Sequence, residues 1–389
     1  MMESVLVLHL ADTHLGYRQY NIYERELDIY DAFDEAIEIA IREHVDLVLH
    51  SGDFFDTPKP PPQAIRRAIR ALRRLREKNI PFIAILGDHD IPKRRGEHPL
   101  AVLEEVGLAR IAGIPGVSER LWIKTRNGVD VFVAGLVHHR ATMREKLLAR
   151  LQSLTPPEER KPRILLLHQA VEGTSPEYEL ALSELPRGYS YYALGHIHRP
   201  GVYRVWGTIA VYPGSIDALR IDEVYDEGHG VVIAEVGVET ASSYFERLTS
   251  LRPQVIYRIE YNDKLSTELA RIASRVSQLA QQKKPLVHLV IEGVDIDRQR
   301  VYKLVQRLFE KNTLYTHLVF HERAIKAGNV EIDATQGRLD RLEILKKLIG
   351  DEELAKLADD LIEMVALGAS DYELRARINE FFRKRYGPG

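Results

Sequence analysis

The sequence contains no cysteine. Disulfides and thiolate metal sites are therefore excluded, and any metal must rest on His, Asp, Glu, Asn or Gln. No apolar run approaches the roughly 18 residues that a membrane-spanning helix needs. The start, MMESVLVLHLADTH, lacks a basic leader, and its apolar run stops at Asp12. It reads as a first strand rather than a signal peptide, so a soluble, cytoplasmic chain is expected. Neither sign of charge dominates: 54 Lys and Arg stand against 57 Asp and Glu, a net charge of -3. Contact with a polyanion would need a local basic surface. There is no internal repeat, no low-complexity tract and no GxxxxGK[ST] segment, so any use of ATP would come from a partner. What remains is a 389-residue chain, 45% apolar, with room for two or three domains and real cores.

Apolar runs at 5–10, 46–49, 82–86, 131–136, 164–167, 191–194, 209–212 and 231–236 read as strands. Helical periodicity joins Phe33, Ala36, Ile37, Ala40 and Ile41, and again Ile65, Ala68, Ile69, Leu72 and Leu75. Strands alternating with helices imply an α/β fold with a largely parallel sheet covered on both faces. The later, helix-poor runs suggest a more mixed second half. A small α+β unit follows, with strands at 255–261, 286–291 and 317–320 and helices at 265–279 and 298–309. Beyond residue 327 the pattern becomes three amphipathic helices, at 339–349, 352–366 and 371–383.

Five short motifs each follow directly on an expected strand: Asp12-Thr13-His14, Gly52-Asp53, Gly87-Asp88-His89-Asp90, Leu167-His168 and Gly195-His196-Ile197-His198. The carboxyl ends of strands in an open α/β sheet form the ligand crevice. These side chains, distant in sequence, should meet there. So many carboxylates and imidazoles in one place are costly without cations. Around two divalent ions they make a mixed N/O shell suited to manganese, iron or zinc. Taken singly, each motif also fits a turn, a cap or a buried structural histidine; their coincidence favours the metal reading.

The order D-x-H, G-D, G-[N/D]-H-[D/E], H, G-H-x-H resembles the calcineurin-like metallophosphoesterases. The wider wording, ADTHLGYRQY, SGDFFDTPKPPP, ILGDHDIP, LGHIHRP and YPGS, resembles the archaeal double-strand-break repair nucleases of the meiotic-recombination-eleven family, relatives of bacterial SbcD. The motifs cover about the first 220 residues. This resemblance implies a two-layered phosphoesterase sandwich at 1–245, a capping, DNA-contacting domain at 250–325 and an ATPase-binding helical segment at 330–389. It implies a manganese-dependent exonuclease and single-strand endonuclease acting on broken DNA ends, nucleoid-associated, homodimeric, and partnered by an SMC-like ATPase of the SbcC type. It also assigns roles. Asp12, His14 and His198 would hold one metal, and Asp53 would bridge to a second held by Asp88, His168 and His196. His89 would bind no metal but orient the scissile phosphate or protonate the leaving oxygen.

Two positions depart from the family pattern. Asp88 stands where Asn is usual, and Asp56 where some relatives place His. Asp88 could instead cap its turn, with Asp90 or water completing the shell. Tyr17, Arg18, Lys93, Arg94 and Arg95 flank the motifs and are candidate DNA-backbone contacts. The basic helix carrying Arg66, Arg67, Arg70, Arg73, Arg74 and Arg76 fits a solvated face, a phosphate contact or, with the next helix, a dimer bundle. His138 and His139 fall outside every motif and read as structural or surface residues. Two rivals stay open: a phosphomonoesterase or phosphoprotein phosphatase on the same fold, and a DNA-bridging scaffold with a relict site. Against the phosphatase, GDFFDTP and GDHD stand where such enzymes read GDxxDRG and GNHE.

Overall fold

A computed structural model describes residues 3–93, 96–176, 178–280, 282–323, 341–366 and 371–386. In chain order the first strands are β1 (Val5–Leu10), β2 (Leu47–His50), β3 (Phe82–Ala84), β4 (Arg110–Ile111), β5 (Arg120–Lys124) and β6 (Asp130–Leu136). Then come β7 (Arg163–His168), β8 (Tyr191–Gly195), β9 (Gly201–Val205), β10 (Thr208–Tyr212), β11 (Gly230–Val236) and β12 (Ala241–Arg247). They form two six-stranded sheets, ordered β12-β11-β1-β2-β3-β4 and β5-β6-β7-β8-β10-β9. Strand–helix alternation alone suggested one sheet. The chain builds two mixed sheets face to face, the two-layered sandwich implied by the resemblance.

Period-two alternation explains the layering. Val5, Val7 and Leu49 point inward, where they meet Val133, Ile164, Leu166 and Tyr191 of the other sheet. Their neighbours Leu8, Leu10 and Val48 point outward, under α1 (Tyr23–Arg42) and α2 (Pro62–Glu77). Phe33 and Ile37 of α1 and Leu72 of α2 complete that outer core, with Leu103 of α3 (Ala101–Glu105). On the second sheet, Leu147 and Leu151 of α4 (Arg144–Ser153) cover Phe132, Leu165 and Leu167. Central strands thus bury both faces, which is why they read as unbroken apolar runs. Each such side chain contributes about 1.5–3 kcal/mol by leaving water.

A third, three-stranded sheet holds β13 (Gln254–Glu260), β14 (Leu286–Gly293) and β15 (Tyr315–Glu322), backed by α5 (Leu265–Leu279) and α6 (Arg298–Phe309). Leu269, Ile272 and Val276 of α5 and Val301, Val305 and Phe309 of α6 are buried at helical spacing. This layer joins the double sheet in one compact unit. Arg252, just before β13, places its Nε 2.6 Å from Asp28 of α1. A separate compact unit contains α7 (Arg341–Ile349), α8 (Glu352–Ala366) and α9 (Asp371–Tyr386). Asp351 caps α8, its Oδ1 accepting from the backbone N–H groups of Glu353 and Leu354 at 3.0 Å. Among the described residues no helix is long and apolar enough to cross a membrane.

Candidate metal centre

Asp12 and His14 follow β1, Asp53 follows β2, and Asp88 and His89 follow β3. His168 ends β7, and His196 and His198 follow β8. Strands β1, β2 and β3 run parallel to one another, as do β6, β7 and β8. Their carboxyl ends therefore open on one edge of the sandwich, as the crevice rule requires.

The motif glycines let the loops close in. A Cβ on Gly87 would lie 2.0 Å from Asp53 Oδ1, and one on Gly195 would lie 2.0 Å from the Ser51 carbonyl oxygen. The backbone is also driven into the left-handed region at four of the candidate ligands: Asp12 (φ 52), His14 (φ 43), Asp53 (φ 53) and His196 (φ 90). Such residues cost of order 1–3 kcal/mol each and persist only where neighbours over-determine them. Here the Asp12 N–H donates to the Gly52 carbonyl and the His14 N–H to that of Asp53, both at 3.0 Å.

Hydrogen bonds on the outer ring nitrogens aim the inner ones. His168 donates its Nδ1 proton to the Ser51 carbonyl at 2.7 Å, leaving Nε2 3.2 Å from Asp88 and 3.4 Å from Asp53. His198 donates from Nδ1 to Glu223 at 2.9 Å, and its Nε2 lies 3.6 Å from Asp12. The Nε2 atoms of His14 and His198 face each other at 3.3 Å. His196 Nδ1 is 3.4 Å from Asp88. Ligand atoms within 4.8 Å of one another form four sets: Asp12, His14, His198; Asp12, Asp53, His168; His14, Asp53, His89; and Asp88, His138, His196. Beneath them buried His9 bonds Ser51 Oγ at 2.8 Å and the Tyr191 hydroxyl at 3.0 Å, steadying the loop that orients His168.

The electrostatics are those of a site short of positive charge. Burial disfavours protonated His168, yet Asp53, Asp88 and Asp12 overcome it and hold its pKa well above the usual histidine value. Burial raises the Asp53 and Asp88 pKa values, but the His168 imidazole carries both below the ordinary carboxylate range. Burial likewise opposes ionised Glu223, but the His198 hydrogen bond brings its pKa down to about 2. The buried Nδ1 of His14 has no hydrogen-bond partner. Facing imidazole lone pairs and crowded carboxylates are a donor set that fits hard or borderline divalent cations. The residues present therefore fit two such ions.

His89 sits at the rim, its ring edge-on to His14 with centroids 4.7 Å apart. Its Nδ1 is 2.7 Å from the Asp56 carbonyl oxygen, which directs Nε2 elsewhere. Burial lowers its pKa, but the Asp53 carboxylate and the Asp56 carbonyl bond outweigh that and raise it. Asp88 and Asp90 divide their tasks plainly. Asp90 is fully buried and accepts from the backbone N–H groups of Phe54, Phe55 and Gly87 at 3.0–3.1 Å. It clamps the two loops, and Asp88 faces the cluster.

Of the candidate DNA contacts, Tyr17 lines the cleft above the cluster. Its hydroxyl donates to the Leu219 carbonyl at 3.2 Å. The Arg18 guanidinium is drawn instead to Glu26 of α1, its Nε 2.9 Å from the carboxylate. Lys93 is exposed, and Arg94 and Arg95 lie outside the described residues. Arg199, Arg220 and Tyr225 line the cleft, and sequence reasoning did not select them. On the basic helix, Arg67 and Arg74 pair with Asp34 and Glu38 of α1. His139 is structural as expected, buried with Nδ1 bonded to the Val137 carbonyl at 2.8 Å. His138 is not: it follows β6 and joins Asp88 and His196. It lies at the end of a strand, as the motif residues do, but no motif letters mark it.

Residues 5–200 match the calcineurin-like phosphoesterase family. The chain is 32% identical to the DNA double-strand break repair protein Mre11 of Saccharolobus solfataricus, over 98% of this chain and 99% of that one. It is 36% identical to the protein of the same name from Sulfurisphaera tokodaii, covering 79% of this chain and 78% of that one. The Thermoplasma acidophilum Mre11 is 32% identical, over 90% and 92% of the two chains. Sheets, strand-end ligands and relatives agree: the chain belongs to the archaeal Mre11 family and carries a calcineurin-like, metal-dependent phosphoesterase domain.

Proposed function

We propose that this chain is a manganese-dependent DNA nuclease, cutting duplex ends as an exonuclease and single strands as an endonuclease during double-strand-break repair. The observation that carries the reading is the convergence of Asp12, Asp53 and Asp88 with inward-aimed imidazoles on one edge of the sandwich. In this reading Asp12, His14 and His198 would hold the first ion, and Asp53 would be shared with the second. Asp88, His168 and His196 hold the second. Two such ions, when bound, would supply Lewis-acid polarisation of a phosphodiester and a water nucleophile near neutral pH. His89 binds neither ion. With Nδ1 engaged by the Asp56 carbonyl, its Nε2 gives a proton to the oxygen that leaves phosphorus. Arg199 and Arg220, paired at the cleft with Glu227 and with Asp222 and Glu223, would turn to flanking phosphates when DNA enters, and Tyr17 offers a face for an unpaired base.

Two partners complete the proposal. A second copy docks through α2 and α3, where Val102 and Val106 are exposed. An SMC-like ATPase docks on α7–α9, which expose Leu348, Ile349, Ile362 and Phe382. The three-stranded sheet serves as a cap that contacts DNA. The rival reading is a phosphomonoesterase on the same domain. The deciding experiment incubates the pure chain with end-labelled duplex and single-stranded DNA, manganese or magnesium, and a chromogenic phosphomonoester in parallel. DNA cleavage that needs manganese and stops with chelator is expected. Efficient monoester turnover with intact DNA would overturn the proposal. Removing residues 330–389 should leave cleavage by the isolated chain intact and abolish capture of the ATPase; undiminished capture would place that docking surface elsewhere.

A further inference from the structure

The structure assigns His138 a role that no sequence motif announced: we infer that it is a ligand of the second metal ion, alongside Asp53, Asp88, His168 and His196. It stands two residues beyond β6, at the same sheet edge as the other ligands. Its backbone N–H donates to the Leu86 carbonyl at 3.2 Å, which ties it to the turn carrying Asp88. Its Nδ1 lies 3.0 Å from the His168 carbonyl oxygen. The Gln169 amide nitrogen lies 3.1 Å from the same ring nitrogen, so Nδ1 is engaged by neighbours on either side; where it donates to the carbonyl, the other nitrogen is left free for a cation, as second-shell bonds do for metal-bound histidines. For His138 that atom is Nε2. The ring is 5.2 Å from that of His196 and 5.8 Å from that of His168, centroid to centroid. Ligand atoms of Asp88, His138 and His196 fall within 4.8 Å of one another, the spacing also found for Asp12, His14 and His198.

A purely structural histidine would use its ring to satisfy buried polar groups or fill apolar space. The neighbour His139 does so, buried and turned to the Val137 carbonyl. His138 also spends Nδ1 on neighbouring polar groups, but it is half-exposed and its ring packs against two imidazoles and a carboxylate of the site. The extra imidazole arrives where Asp88 already replaces a neutral amide by a carboxylate. Together they give the second ion a crowded, partly nitrogenous shell, which favours manganese, iron or zinc over magnesium. Fewer positions then remain for water on that ion.

The inference rests on the two-metal reading but not on DNA being the substrate, so its test reads metal rather than cleavage. Metal-stripped wild type, His138→Ala and His138→Gln are titrated with manganese, and free ion is followed by electron paramagnetic resonance. Melting of each metal-free protein shows whether it is folded. Both variants should melt as wild type does, keep one site unchanged and bind the second ion at least about 10-fold more weakly. Magnesium should compete better in the variants than in wild type. Two sites of unaltered affinity in a folded variant would overturn the assignment. X-ray absorption of zinc-loaded wild type gives a check that needs no substitution: His14, His138, His168, His196 and His198 should all scatter as bound imidazoles. Four imidazoles per ion pair would refute the His138 ligand and leave the two-metal reading standing. A wild-type chain that binds only one ion would overturn both.

Discussion

Two buried polar clusters lie in the same compact unit, and they are built on opposite plans. In the first, signs alternate. Arg25, 1% exposed, reaches Asp28 at 2.7 Å and Asp217 at 2.6 Å. Asp28 also receives Arg252 at 2.6 Å and Lys283 at 3.0 Å. None of these residues has a positive φ. In the second, buried Asp12 and Asp53 and the more exposed Asp88 crowd together, imidazoles face imidazoles, and contacts lie at 3.2–4.0 Å. The first cluster is complete as protein and straps the three-stranded sheet to the double sheet. The second is complete only with cations. Burying charge without a partner is costly, so the contrast separates a structural network from a functional one.

Substitutions should respect that divide. Asp53→Ala is expected to have the largest effect, lowering phosphodiesterase activity by roughly 10⁴-fold or more and emptying metal from the site. Metal analysis of the purified variant checks it; full occupancy would mean that Asp53 is no ligand. His89→Ala should keep both ions and lose about 10²–10⁴-fold in rate, the usual scale of general acid–base help. Loss of an ion in that variant would turn the proposed acid into a ligand. In the balanced cluster, Asp28→Ala should leave metal content alone and cost about 3–5 kcal/mol of stability, since it strands buried cations. Denaturant titration reads this, and a cost below about 1 kcal/mol would show the strap to be dispensable.

Acid probes the ground beneath the metals. Burial lowers the pKa of His9 to about 3 from its ordinary 6.5. The unfolded chain therefore takes up this proton first. Stability is present in full above pH 6.5 and declines as pH falls toward 3. In metal-free protein His9→Gln should flatten that slope, and a parallel profile would remove His9 from the account. The smallest effect is expected from Asp88→Asn. An amide holds a divalent ion less tightly but leaves it better able to polarise water. Activity should persist while half-saturating manganese rises a few-fold, and Asp88→Ala should be far worse. Superimposable titrations of all three proteins would end the idea that Asp88 is a ligand.

The central strands and the motifs were legible because both carry strong patterns. A strand buried on both faces leaves an unbroken apolar run, as in VLVLHL of β1. The strands that periodicity missed were β4, β5, β9 and β12, and these are the four edges of the two six-stranded sheets. Residues alternate between exposed and half-buried in GVYRV of β9 and ASSYFER of β12, so no apolar run marks them. The division into two sheets was equally invisible to periodicity, because an apolar run marks a buried strand without saying which strand it pairs with. At the site, Asp12, Asp53 and His196 were readable from adjoining motif letters. His138 was not, since only the position of β6 brings it near Asp88. The partner of Arg18 was equally out of reach of the motifs: Glu26, one helical turn into α1, holds its guanidinium.

Strand β1 also has a history. Its two sides pair with β2 and with β11, and Val5 lies opposite Val236. On the ribosome, one edge of VLVLHL must therefore wait until the chain has grown past that distant residue. At about 5–20 residues per second the wait is on the order of ten to fifty seconds. Throughout it a flat apolar strand presents unpaired N–H and C=O groups, the situation in which nascent chains cross-pair. Folding of this protein should thus be slow and sensitive to crowding by its own copies, and no ion can be captured in full until residue 198 has emerged.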